Sequence, residues 1–385
     1  MRSRVKSPPH VVLITDSRAP SGVGHHMMAL ATELRDRCRI SFVFPNASGA
    51  VAFVERARAL GHPVEVLDPE HLRWWPEILA ERLRSMEPDL LHIHAGIGWE
   101  GNRAGMAARK AGVPANVRTE HLPYMLQRRV QRREHLEGLT CVDHVICVSE
   151  QSFESHVRAG LPVERFSVVR NGISLPRARR SRAETRATFR ISPEELLVIT
   201  VARLIAQKGH RVLLNAIPQI LAEQPHTHFL WVGEGRLRAG LEREAAAAGL
   251  LDRIIFAGSR DDVPDLLAAA DAFVLPSEFE GLPLALIEAM AAGLPVVATR
   301  VPGTTEVITN DAGQLVPPRD PAALATGVVT VLRDPDQSRA MAERGRVLAE
   351  RDFSARRMAD EVYAIYRSVL AQANRRSPQL ERRVM

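Results

Sequence analysis

Residues 272–299 read AFVLPSEFEGLPLALIEAMAAGLPVVAT. Two short β-rich runs, AFVLPS at 272–277 and PVVAT at 295–299, flank a stretch with helical character. Pro283 suits a first helical turn and Gly293 suits a stop, so a helix is predicted to open near Pro283. Strand, helix and strand in succession mark a parallel, doubly wound α/β sheet. From Gly281 to Ala298 the only charged residue is Glu288, set among Leu284, Leu286, Ile287 and Met290. A carboxylate in such company is expensive to bury. Either it faces water, as an ordinary exposed helix glutamate, or it has a specific hydrogen-bond donor such as a ligand hydroxyl. The predicted helix start leaves free N–H groups near Leu284 and Ala285, a setting that favours a phosphate. Glu280 stands eight residues ahead of Glu288. Eight helical residues span about 12 Å, whereas the two carboxylates of a glycosidase lie roughly 5–9.5 Å apart. The spacing argues for two carboxylates holding different parts of one long ligand.

The same alternation extends in both directions. N-terminally, β-rich runs occur at 11–15 (VVLIT), 40–44, 63–67, 89–94 (DLLHIH), 115–119, 144–149 and 165–172, separated by helical patterns such as HMMALATELRDR at 26–37. An Arg- and Pro-containing stretch, ISLPRARRSRAE, then reads as a linker. The pattern restarts at LLVITVAR (196–203) and continues through HFLWVGEG (228–235) and RIIFAG (253–258). The expected organisation is an N-terminal Rossmann-like domain over 1–175, a second over 176–354, a final helix over 355–372 returning to the first, and a flexible tail over 373–385. Open α/β sheets bind ligands beyond the carboxyl ends of their strands. Two such domains facing each other form an interdomain cleft, the kind of place ligands favour.

Several residues just after strands fit that expectation. In VARLIAQKGH (201–210), Arg203 ends a strand and Lys208 begins the next helix. Two cations at such a turn suit a diphosphate, the arginine as a fork and the lysine as a point charge; a pair of surface charges is the other reading. VGEG at 232–235 is a glycine turn after a strand and is common by itself. VVLITDSRAPSGVGHH lacks the G-x-G-x-x-G dinucleotide fingerprint, yet Gly22 and Gly24 could admit a phosphate to the backbone if the segment is not simply a surface loop. His92 and His94 share one face of a strand end, but no neighbouring carboxylate or cysteine completes a metal set, so no metal is assigned. His121 follows another strand end, where a histidine is either structural or aimed at the cleft.

The chain has 385 residues, which suits two domains. It carries 51 Lys and Arg against 45 Asp and Glu, a net charge of +6. That favours anionic partners. The excess arginine concentrates at 128–133, 177–186 and from Arg375 onward, runs that also suit solvated helix faces and linkers. Only 5% of residues are aromatic, and no nucleic-acid motif is present, so nucleic-acid binding is not expected. Three cysteines without C-x-x-C spacing give neither a disulfide framework nor a zinc site. No apolar stretch reaches membrane-spanning length, and the basic N-terminus lacks a signal-peptide core. A cytoplasmic protein is expected, with peripheral contact to the inner membrane face.

Together these residues resemble the retaining glycosyltransferases of family 4, with the GT-B fold, over about 10–372. The family's paired-glutamate pattern reads Glu280-Gly-Leu-Pro-Leu-Ala-Leu-Ile-Glu288, and its Arg-Leu-x-x-x-Lys-Gly pattern reads Arg203-Leu-Ile-Ala-Gln-Lys208-Gly. The resemblance implies that Arg203 and Lys208 bind the diphosphate of a nucleotide-sugar donor. Glu288 then holds the ribose, and Glu280 the transferred sugar. His121 lies near that sugar, the backbone at Leu282, Leu284 and Arg260 lies along the donor, and the Gly22 loop approaches the diphosphate. Where the family usually has Gly-Gly, this chain has Ser21-Gly22. Asn171-Gly172 matches the pair that closes the N-terminal domain. The implied reaction moves a sugar from a uridine or guanosine diphosphate donor to a hydroxyl acceptor, possibly lipid-linked, with no cofactor and no metal. Related alternatives are a GT-B epimerase or phosphorylase; an alternative of another class is a non-catalytic nucleotide-sugar sensor.

Overall fold

The computed structural model describes residues 7–68, 75–96, 99–174 and 177–381. The chain forms two compact units, 1–172 with 355–385, and 173–354. The domain boundary expected between 175 and 176 falls outside the described residues.

The first unit holds a seven-stranded sheet of β1 (His10–Ile14), β2 (Arg39–Pro45), β3 (Val64–Leu67), β4 (Leu90–Ala95), β5 (Ala115–Glu120), β6 (His144–Cys147) and β7 (Phe166–Val168). Its order is β3-β2-β1-β4-β5-β6-β7, and every pair is parallel. The second holds β8 (Leu196–Val201), β9 (Thr227–Val232), β10 (Ile254–Gly258), β11 (Ala272–Leu275), β12 (Val296–Thr299) and β13 (Gln314–Val316), in the order β10-β9-β8-β11-β12-β13. These pairs are parallel too. Parallel sheets with helices on both faces bury their strands on both sides, and β1, β4, β5, β11 and β12 are buried at every position. That is why β1, β11 and β12 read as mostly apolar runs, whereas β4 and β5 bury His92, His94, Asn116, Arg118, Thr119 and Glu120 among their apolar residues. The strand order reverses between β1 and β4 in the first unit, and between β8 and β11 in the second. Ligands of open α/β sheets bind at such switch points.

The strands stand where the sequence places them, with one addition. The three-residue edge strand β13 pairs only with β12 and is too short for a periodic signal. The last helix, Ala355–Glu381, runs well past 372, so the expected tail is helical to Glu381. The polar residues after Ala371 end the apolar stripe without ending the helix. Its Met358, Val362 and Tyr366 are buried in the first unit's core with Met27, Leu30 and Leu34.

The linker reading needs correction. Residues Arg182–Ala187 are a helix, opened by a capping box in which Ser181 and Glu184 exchange hydrogen bonds. Its arginines are committed to the second unit. Arg180 pairs with Asp262 and Asp265, and Arg182 pairs with Asp271. Buried Arg186 donates to the Ala269 and Ser192 carbonyls at 3.0 Å each and pairs with Asp271 at 3.2 Å. These side chains pin the helix to its sheet and are not a free basic patch.

The expected Gly22 loop also differs. Gly22 lies in the first turn of the helix Ser21–Leu34, directly after Ser21, whose φ is +44°. A side chain there strains the backbone, which accounts for glycine being the usual choice. Ser21→Gly should raise stability by up to about 1 kcal/mol, read as a higher urea midpoint; an unchanged or lower midpoint would mean the helix entropy cost of glycine cancels the relief.

Candidate active site

At the carboxyl edge of the second sheet the loops after β8 and β11, which flank the switch point, are joined. Lys208 Nζ lies 2.6 Å from Glu280 Oε1. Ser277 Oγ donates to the same oxygen at 2.6 Å. Both ends of the ion pair are largely shielded, with side-chain exposures of 16% and 5%, so it is less screened than a surface pair. Glu280 Oε2 takes no hydrogen bond from any described residue.

Backbone contacts set this geometry. Lys208 closes a 3₁₀ turn, Ala206–Lys208, and Gly209 at φ +66° precedes the helix His210–Glu223. Lys208 therefore stands just before that helix rather than at its start. A Cβ on Gly209 would lie 1.9 Å from the Pro276 carbonyl oxygen, so only glycine lets the loops approach. Gln207 clamps the contact, donating from its side chain to the Phe279 carbonyl at 2.9 Å and accepting from the Glu278 N–H at 2.7 Å. From the opposite side Gly303, φ +89°, lies so close that a Cβ would be 2.5 Å from the Gly281 carbonyl oxygen. Ser277, Gln207 and Gly303 were not singled out in the sequence. Ser277 and Gln207 lie inside the quoted motifs, and Gly303 sits in a small-residue turn after β12, the signal used elsewhere.

Arg203 lies on the loop after β8 and is exposed, with no ion-pair partner among the described residues. The VGEG turn braces that loop: the Leu204 N–H donates to the Glu234 carbonyl at 2.9 Å. The helix Leu284–Ala291 begins one residue after Pro283, which is its N-cap rather than part of its first turn. The Leu284 and Ala285 N–H groups have no intrahelical acceptor at that end. Leu286, Ile287, Ala289 and Met290 are buried, while Leu284 and Glu288, four apart, share the half-buried face. Glu288 has no side-chain hydrogen bond or ion pair among the described residues, and burial alone pushes its carboxyl up to about 7. Leu282 is buried in the loop. Arg260 forks onto Asp262 at 2.8 and 2.7 Å, so its guanidinium is engaged locally.

In the first unit His121 follows β5 and lies at hydrogen-bonding distance from its neighbour, with Nε2 3.2 Å from His94 Nδ1. His92, two residues from His94, is occupied at both nitrogens, by the Tyr366 hydroxyl at 2.6 Å and the Thr119 hydroxyl at 2.7 Å. Gly22 has open space at its Cβ position.

Comparison with known proteins identifies the family. Residues 20–177 match Glycosyltransferase Family 4, and residues 181–348 match Glycosyl transferases group 1. Glycogen synthase of Mycobacterium tuberculosis is 32% identical over 313 residues, 77% of this chain and 72% of the relative. The chain belongs to the group 1, family 4 type of glycosyltransferase. A GDP-mannose-dependent alpha-(1-6)-phosphatidylinositol monomannoside mannosyltransferase of Mycolicibacterium smegmatis is 26% identical over 372 residues, 87% of this chain and 92% of the relative. Among solved structures, Anabaena HepE in complex with UDP and glucose superposes with a TM-score of 0.83 at 21% identity, covering 94% of this chain and all of HepE. This glycosyltransferase has the GT-B fold, with two parallel-sheet, Rossmann-like domains. No helix among the described residues is long and apolar enough to cross a membrane.

The protonation of Glu288 is measurable through stability. Its folded form holds the proton more tightly than the unfolded chain does, so unfolding releases a proton between pH 4.5 and about 7. The Glu288 contribution therefore weakens stability progressively as pH rises through that interval. Glu288→Gln should remove this loss, and its melting temperature should gain on the parent from pH 4.5 to 7 and stay level above. Parallel melting curves against pH for the two proteins would show Glu288 to be ionised throughout.

Proposed function

We propose that this glycosyltransferase takes its sugar from a nucleoside-diphosphate donor and transfers it to a hydroxyl with retention at the anomeric carbon. The observation that carries the reading is the Lys208–Glu280 pair at the switch point, on loops that also bear Arg203, which is exposed and has no ion-pair partner among the described residues. Breaking the bond to the sugar leaves growing negative charge on the diphosphate. Arg203, Lys208 and the N–H groups opening the helix at Leu284 are fixed positive groups suited to stabilising it. Glu280, paired with Lys208, offers its second oxygen to sugar hydroxyls. Glu288 offers a carboxyl to the ribose. His121, Gly22, Leu282 and Arg260 keep the roles the resemblance gives them. The leaving phosphate accepts the acceptor proton on the face it departs from, so no covalent glycosyl-enzyme, metal or cofactor enters the scheme. UDP in the HepE complex and GDP-mannose in the mycobacterial relative's name support uridine or guanosine donors.

The decisive experiment combines a panel of nucleotide sugars with point variants. A matching donor at 100 times its dissociation constant should stabilise the parent by about 2.7 kcal/mol, seen as a raised melting temperature. Arg203→Ala and Lys208→Ala should remain folded, lose most of that shift and turn over at least about 100-fold more slowly. Near-parent kcat in both variants would remove them from the reaction.

For the acceptor we propose a lipid-linked hydroxyl reached from the cytoplasmic membrane face. The phosphatidylinositol mannoside relative supports this, as does one surface of the first unit. Arg128, Arg129, Arg132 and Arg133 are exposed beside exposed Met125, Val130 and Leu136. Basic groups near an anionic surface contribute about 1 kcal/mol each, and the apolar side chains can enter the interface. Co-sedimentation with phosphatidylglycerol vesicles should be strong at low salt and weaken as salt rises. No binding at low salt would point to a water-soluble acceptor.

A further inference from the structure

We infer that Asp16 and Trp99 of the first unit bind the acceptor, and that the acceptor presents a polyhydroxylated ring, a sugar or a cyclitol; the assignment rests on the proposed transfer to a hydroxyl. Ligands of an open α/β sheet bind at its switch point, which in this unit lies between β1 and β4. Asp16 is the second residue after β1, and the loop after β4 meets it there. The Gly101 N–H donates to Asp16 Oδ2 at 2.9 Å. Earlier in that loop the Gly96 N–H donates to Glu100 Oε2 at 2.7 Å. Gly101 has φ +75°, and a Cβ on it would lie 2.3 Å from Ile93 Cγ2. Only glycine brings this N–H to the carboxylate.

The other oxygen, Asp16 Oδ1, is shielded and has no hydrogen-bond partner among the described residues. Bracing Gly101, which opens the helix Asn102–Ala111, takes one acceptor oxygen, and an asparagine would offer that equally. The second carboxylate oxygen is left over, and a shielded acceptor without a donor is costly. Burial pushes the Asp16 carboxyl above its ordinary range, against the pull of the Gly101 N–H and of the Arg118 and Arg103 charges. Arg118 is engaged elsewhere, donating to Glu120 Oε1 at 2.6 Å and to Asn102 Oδ1 at 3.2 Å. Asp16 as a whole is only half-buried, so a ligand can approach it. A hydroxyl supplies the missing donor without bringing a second charge to desolvate. Trp99, two residues before Gly101 on the same loop, is 44% exposed. A few placed polar groups with an aromatic surface are what small-molecule sites are made of. A ring that carries hydroxyls at its edge and C–H bonds on its face satisfies both side chains, whereas an open-chain alcohol offers the indole no face.

The test uses the full chain with methyl α-D-glucopyranoside, methyl α-D-mannopyranoside, myo-inositol and glycerol as probes, each alone and with UDP or GDP. Binding is read by saturation-transfer NMR and by tryptophan fluorescence. At least one ring probe should bind and glycerol should not. Asp16→Asn keeps the acceptor for Gly101 but turns the free oxygen into an N–H donor, so ring binding should weaken at least about 10-fold. Trp99→Ala should weaken it similarly and remove the fluorescence response. Leu251→Ala, an exposed site in the second unit, should bind like the parent. Circular dichroism checks that each variant folds. No ring binding to the folded parent overturns the assignment, as does binding undiminished in folded Asp16→Asn or Trp99→Ala chains. Glycerol bound as well as the rings overturns the ring class. A parent whose melting no nucleotide sugar shifts would instead sink the donor reading, with ring binding and its loss in Asp16→Asn still measurable.

Discussion

The loop that carries Glu280 is held between two glycines, and the chemistry of the second unit depends on that confinement. Gly209 brings the loop after β8 against the Pro276 carbonyl, and Gly303 brings the turn after β12 against the Gly281 carbonyl. Neither approach leaves room for a Cβ. With the backbone so fixed, Lys208 and Glu280 meet at 2.6 Å although they are far apart in sequence. An ion pair this shielded gains from attraction and loses by desolvation in similar measure. Its geometry therefore has to come from elsewhere, and the glycine contacts with the Gln207 clamp supply it.

What the sequence showed and what it hid divide along physical lines. Parallel strands alternating with helices leave β-rich, mostly apolar runs bounded by turns, so twelve of the strands were legible, as were the turns after them. The edge strand β13 has three residues and a single partner, too little for a pattern. The arginines at 180, 182 and 186 looked like linker charge because their partners, Asp262, Asp265 and Asp271, lie about eighty residues away. Ser21 showed only as a departure from a family pattern; its positive φ gives the reason. The cluster of His26, His94 and His121 was half visible. His94 and His121 stand at strand ends in the sequence, but nothing local joins them to His26, which lies inside the helix Ser21–Leu34.

The first unit uses buried polar groups differently from the second. Around His92 every ring nitrogen has a hydroxyl partner, and Tyr366 from the last helix is one of them. That contact ties the returning helix to the sheet by a specific bond as well as by apolar packing. One residue pair further along β4 the satisfaction stops, and His94 and His26 each keep an empty nitrogen. The same strand thus carries a closed structural histidine and an open one, and the difference lies in which neighbouring elements provide hydroxyl groups.

The two glutamates of the candidate site, Glu280 and Glu288, are balanced by different means, and this bears on what the site can select. Glu280 is balanced by a resident lysine and a serine hydroxyl. Glu288 has no such neighbour among the described residues and is balanced by a proton. Under the proposed function a hydroxyl pair arriving at Glu288 supplies the donors that the protein lacks, and the carboxyl can then ionise at neutral pH. Arg203, exposed and without an acidic partner among the described residues, keeps its charge for an anion. A ligand that satisfies all three must be anionic in one part and rich in hydroxyls in two others. A free phosphate meets only the first condition and a free sugar only one of the others, which is why, under the proposed function, a nucleotide sugar suits the charge pattern better than a phosphate or a sugar alone.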